Sequence, residues 1–149
     1  MWGNVHNRGR THVAARRQNR TLLELGLRRC WGVEAGVLLT PVTQVRRKGE
    51  VSFVGVSTGM NSLIRPALYG AWHGIHNLTR LGSSGEGYHH VVGPICETGD
   101  VLGRDRLLPP TSSGDVLLIE NCGAYGAVMS SSYNRRAPAT EVVLPIDPV

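Results

Sequence analysis

Past residue 31, apolar residues come only in short, often β-branched runs cut by glycine and proline, and this punctuation constrains the fold more than any other feature. Val37, Leu38, Leu39, Val42 and Val45 form one such run, and Pro41 within it argues for an edge or a bulge. Arg46, Arg47, Lys48, Gly49 and Glu50 follow as a polar turn, and Val51–Val56 predicts the second strand of a hairpin. Trp72–Leu78, His89–Ile95, the pair Val101 and Leu102, Asp115–Glu120 and Val142–Leu144 predict further strands. The linker Gly82–Gly87 and the turn material Pro109–Gly114 separate them. Ser62–Leu68 is short and contains Pro66, which predicts a helical turn leading into extended chain. No later stretch sustains three turns of helical period, so the expected class is all-β, a barrel or a sandwich.

At 149 residues the chain has room for one domain with one modest core. Its formal charge of +5 is not spread over that domain. Residues 1–31 hold seven arginines against the single acid Glu24, whereas residues 32–149 hold nine basic and ten acidic side chains. The expected organisation is therefore a basic segment, 1–31, ahead of a near-neutral β-domain, 32–149. Within the segment, Thr21 and Glu24 are spaced to cap a short helix over Arg20–Leu27. The basic residues lack interleaved aromatics, which argues against a nucleic-acid partner. No run reaches the roughly 20 apolar residues of a membrane span, and no secretory leader is legible, so a cytoplasmic, non-membrane protein is expected. Cys30, Cys96 and Cys122 form neither a disulfide framework nor a CxxC pair, which fits a reducing compartment and no metal site.

Three segments carry more chemistry than packing requires. Met60–Tyr69 places Arg65 and Tyr69 four residues apart beside Pro66. A guanidinium there could hold a carboxylate with paired donors, or Arg65 could be a surface arginine beside a half-buried tyrosine. Gly93–Asp100 carries Cys96 followed at once by Glu97. A thiol in a glycine-flanked loop can donate a proton to a carbanion, or it can simply be a buried structural cysteine. Asp100 and Asp105 read as turn and solvent residues. Cys122–Asn134 surrounds Tyr125 with small residues, which lets backbone approach a ligand and leaves the phenol as the reaching group. Its hydroxyl run suits a phosphate or a cap and turn equally, and Cys122 reads as packing. His73 with His76, and His89 with His90, are spaced to point to opposite faces of a strand. No HExxH arrangement, Walker loop, GxSxG elbow or GxGxxG fingerprint occurs.

The order and spacing of Asn61–Tyr69, Cys96–Glu97 and Gly123–Asn134 resemble the end of diaminopimelate decarboxylases, the fold-type III pyridoxal-phosphate enzymes. The resemblance covers roughly Val33–Leu144. The wording of Gly55–Leu81 is also similar to the decarboxylase half of fused aspartate kinase and diaminopimelate decarboxylase proteins. The resemblance implies that this chain is a C-terminal, Greek-key-like β-barrel whose (β/α)8 partner domain is missing. It implies that Arg65 and Tyr69 contact a carboxylate of meso-diaminopimelate and that Glu97 binds its distal amino group. Cys96 would reprotonate the α-carbon across a dimer interface, and Tyr125 would lie near the phosphate of pyridoxal phosphate. The family's Schiff-base lysine has no counterpart, because the one lysine, Lys48, lies in a polar turn. Two expectations follow: a substrate-binding portion that is inactive alone and works as a homodimer or with a (β/α)8 domain, or a non-catalytic β-domain acting as a dimerisation or interaction module.

Overall fold

The structure is a computed structural model that describes residues 32–144. The basic segment 1–31 and its expected helix lie outside the described residues. Six strands make one sheet: β1 (Leu38–Lys48), β2 (Val51–Val56), β3 (Ile75–Asn77), β4 (Gly87–Val92), β5 (Val101–Leu108) and β6 (Val116–Ile119). Their spatial order is β3-β6-β1-β2-β4-β5. All neighbouring pairs are antiparallel except β2 and β4, which run parallel with Ser52 opposite His89. The sheet curls until its edges meet, and the Ile75 side chain of β3 closes over Gly103 of β5. The fold is thus mostly β, a nearly closed barrel-like sheet with short helical turns.

The first hairpin matches its sequence pattern, with Gly49 at φ 61° making the turn. The strand runs on through Arg46–Lys48, because charged side chains on an exposed ladder lose nothing to solvent. Pro41 sits where β1 leaves β6 for β2, and the register shifts between Val42 and Gln44. That is the bulge a proline inside a strand demands. β1 thereby bends to pair with both neighbours, and Leu38, Val42, Val54, Val91, Leu117 and Ile119 meet inside the curl.

Other strand bounds differ from the apolar pattern for local reasons. The expected strand Trp72–Leu78 shrinks to Ile75–Asn77, since the Asn77 side chain caps a 3-10 turn at Leu78–Arg80. β5 extends six residues past Val101 and Leu102, its outward Arg104 and Asp105 having masked the alternation. Val142–Leu144 is not a strand. Among the described residues no neighbour offers it a ladder, and Val143 is 91% exposed. Among the described residues no helix is long and apolar enough to cross a membrane.

One polar knot fastens the β3 edge to β6. The Asp115 carboxylate, 5% exposed, accepts from Asn77 Nδ2 at 2.9 Å and from the Ser112 amide at 3.0 Å. Arg80 Nε lies 3.6 Å away. Burial alone would push this carboxyl up, but Asn77, the Ser112 amide and Arg80 together hold it below its ordinary value. A carboxyl depressed by folding stabilises the fold above its unfolded value, and that contribution is lost as pH falls through the folded value. Acidification from about pH 6 to about pH 3 should therefore lower the urea midpoint of the wild type more than that of Asp115→Asn.

Candidate functional site

The Arg65-containing segment forms α1 (Arg65–Tyr69), a single helical turn started by Pro66 and ended at Gly70 with φ 62°. Four residues apart, Arg65 and Tyr69 share one face of it. Tyr69 is 63% exposed. The Arg65 guanidinium lies 5.9 Å from the Tyr125 ring centroid, a cation–π distance. Its Nε is buried and bonds to nothing among the described residues.

Cys96 and Glu97 occupy the tip of the loop joining β4 to β5. The loop closes through Gly93 N–H donating to the Asp100 carbonyl at 3.0 Å and Asp100 N–H donating to Glu97 at 3.1 Å. Both tip side chains are exposed. Cys96 lines a shallow cleft with Pro94, Asn134, Arg135 and Arg136. Glu97 accepts a 2.5 Å hydrogen bond from the Tyr133 hydroxyl.

Asp100 departs from its sequence reading. It is 3% exposed, not a solvent residue, and its carboxylate joins the two segments. Oδ1 accepts from the Met60 amide and Oδ2 from the Ile95 amide, each at 2.6 Å. Gly59 and Gly93 press against this carboxylate, and a Cβ on either would collide with it. Burial raises the Asp100 carboxyl above its ordinary value, and the two amide donors oppose the rise. Asp105 is exposed as read, at a left-handed φ of 50° in β5.

The third segment wraps over both. Ser131 N–H donates to the Asn61 carbonyl at 2.8 Å, and Asn61 Nδ2 donates to the carbonyls of Arg136 and Ala137 at 3.4 and 3.2 Å. The small residues around Tyr125 pack against the chain itself. Gly123 and Gly36 touch backbone to backbone, and Gly123 N–H donates to the Val33 carbonyl at 3.1 Å. That leaves Tyr125, at φ 66°, facing outward. Cys122 is packing, as its sequence context suggests. Burial pushes its thiol up to about 11, and the S–H donates toward the Ile119 carbonyl at 3.3 Å.

The five expected residues thus fall in two groups, Arg65 with Tyr69 and Tyr125, and Cys96 with Glu97. Among the described residues no hydrogen bond or ring contact joins the groups directly. Asp100 joins their backbones through the Met60 and Ile95 amides. The histidines stay outside both groups: Glu120 receives His73 through its carbonyl at 2.8 Å and His76 through its carboxylate at 2.9 Å.

A family model described as pyridoxal-dependent decarboxylase, C-terminal sheet domain, matches residues 11–123. The chain belongs to this family. Diaminopimelate decarboxylase of Archaeoglobus fulgidus is 48% identical over 108 residues, 72% of this chain and 26% of the relative. That of Escherichia coli K12 is 36% identical over 151 residues, 92% of this chain and 35% of the relative. The chain therefore spans about a third or less of these curated relatives' length. Among solved structures, AQ1208 from Aquifex aeolicus superposes with TM-score 0.71 at 41% identity, covering 74% of this chain and 27% of that one. Diaminopimelate decarboxylase from Helicobacter pylori complexed with L-lysine superposes with TM-score 0.67 at 40% identity, with the same coverage.

The family uses pyridoxal phosphate, and the described residues do not fit its covalent attachment. Lys48, the one lysine in the sequence, is exposed at the end of β1 with nothing to desolvate it.

Asp100→Asn keeps the shape of the side chain but turns one acceptor into a donor facing a buried amide. It should destabilise the chain by about 1–3 kcal/mol in urea unfolding. Faster hydrogen exchange at Met60 or Ile95 should identify the orphaned amide.

Proposed function

We propose that this chain is the substrate-gripping portion of a decarboxylase acting on meso-diaminopimelate, complete only with a (β/α)8 domain. The observation that carries this reading is the exposed pair Cys96–Glu97 on a loop whose backbone is tied to the Arg65 segment through one buried carboxylate. The relatives' shared name supplies the substrate. Diaminopimelate carries an ammonium and a carboxylate at each end. The Arg65 guanidinium offers paired donors to a carboxylate, with the Tyr69 hydroxyl on the same helix face. Glu97 offers the complementary charge to the distal ammonium. The Cys96 thiol can give its proton to the α-carbon in place of the departing carbon dioxide.

Pyridoxal phosphate, held by the (β/α)8 domain, would supply the electron sink for that departure. Tyr125 stands outward beside Arg65, where it can border the cofactor phosphate. The exposed Trp72, Leu68 and Val128 offer apolar surface that a second domain or a partner copy would cover. Homodimer formation is part of the same proposal.

Mixing the chain with a separately produced (β/α)8 domain and pyridoxal phosphate should yield carbon dioxide release from meso-diaminopimelate. Cys96→Ala should lower that rate by about 100-fold or more, and Lys48→Ala should leave it unchanged. Association without carbon dioxide release would favour an interaction module instead.

A further inference from the structure

Tyr133 belongs to none of the residues assigned above, yet the chain holds it in place at a cost. Its two successors, Asn134 and Arg135, both have φ of 57°, the left-handed region that costs a non-glycine residue of order 1 kcal/mol or more. Adjacent strained residues persist only where the surroundings determine them. Here Asn61 grips the turn from both sides, accepting from Ser131 N–H and donating to the carbonyls of Arg136 and Ala137. Ser62 Oγ accepts from the Ala139 amide at 2.9 Å just beyond. Among the described residues, this turn sends one side-chain hydrogen bond to the Cys96–Glu97 loop, the 2.5 Å bond from the Tyr133 hydroxyl to Glu97 Oε1.

A carboxylate on an exposed loop samples several rotamers, and ordering it costs free energy that substrate binding must otherwise supply. We propose that Tyr133 is a positioning residue: its hydroxyl fixes the Glu97 side chain so that the remaining carboxylate oxygen meets a substrate ammonium. The proposal rests on the assignment of Glu97 to the ammonium. Tyr133 touches neither the ammonium nor the reacting carbon and acts through Glu97 alone. The neighbouring carboxylate, by accepting the phenol's proton in a hydrogen bond and by its charge, also holds the Tyr133 phenol above its ordinary value.

The pair is tested on the chain by itself. The sequence holds four tyrosines, so ring-carbon NMR with labelled tyrosine can follow each phenol separately through alkaline titration. Tyr133 should titrate above the ordinary phenol range, and Glu97→Gln should lower it. Titration of Tyr133 in the ordinary phenol range in the wild type would overturn the pair without recourse to any variant. The consequence is tested on the enzyme completed with a (β/α)8 domain. Tyr133→Phe, which keeps the ring, should raise KM for meso-diaminopimelate about 10-fold and leave kcat within about 2-fold. An unchanged KM with the phenol titration as expected would overturn the positioning role while leaving the substrate assignment intact. A late phenol titration in the chain, with no carbon dioxide release from any completed enzyme, would instead sink the function and with it the role assigned to the pair.

Discussion

Two amide donors on one buried carboxylate hold the functional segments in relation to each other. Asp100 follows the Cys96–Glu97 tip in the chain, yet half of its hydrogen bonding goes to Met60, forty residues earlier. Hydrogen bonds to a charged acceptor are among the stronger ones in a protein, roughly 1.5–3 kcal/mol each. Here they substitute for an apolar core, because α1 buries no residue completely and cannot be held by packing. The glycines at 59 and 93 are the steric condition for this contact, since both backbones must come within touching distance of the carboxylate. Remove the carboxylate and the sheet keeps its own core, but the helix turn and the thiol loop lose their common reference.

How much of this was legible in the sequence depended on the range of the interactions. The β1–β2 hairpin was legible because alternation and turn chemistry are local. So were the helical turn at Pro66 and the family. Asp100 was not legible. An aspartate between glycine and valine looks like a turn residue, and nothing nearby in the chain says that its acceptors are consumed by a distant amide. Val142–Leu144 failed for the complementary reason: its β-branched residues favour extension, but a strand exists only where a neighbour supplies a ladder. The small residues flanking Tyr125 were read as room for a ligand, and part of that room is taken by the Gly32–Gly36 backbone. Tyr133 was hidden by its setting in a polar, exposed turn, where composition alone predicts solvent.

The chemistry is unevenly divided. The exposed residues on this domain suit recognition of charged groups and transfer of one proton. The covalent work of a pyridoxal-phosphate enzyme needs a desolvated lysine, and the one lysine here is on a solvated hairpin. On the function proposed, a domain of this kind contributes one wall of the site.

The parallel pairing of β2 with β4 has a consequence for assembly. Parallel neighbours cannot be joined by a tight turn, so the chain from Ser57 to Glu86 must form a crossover, and α1 lies on it. Loop-closure entropy grows slowly, by only about 0.6 kcal/mol per doubling of length, so the far arm of the crossover, around Ser83–Glu86, can lengthen or shorten at small thermodynamic cost. The near arm has no such freedom, because Asp100 and Asn61 anchor it at Gly59–Ser62. The crossover is therefore an asymmetric tether, in which sequence drift and insertions can accumulate after the helix turn while the spacing before it stays fixed.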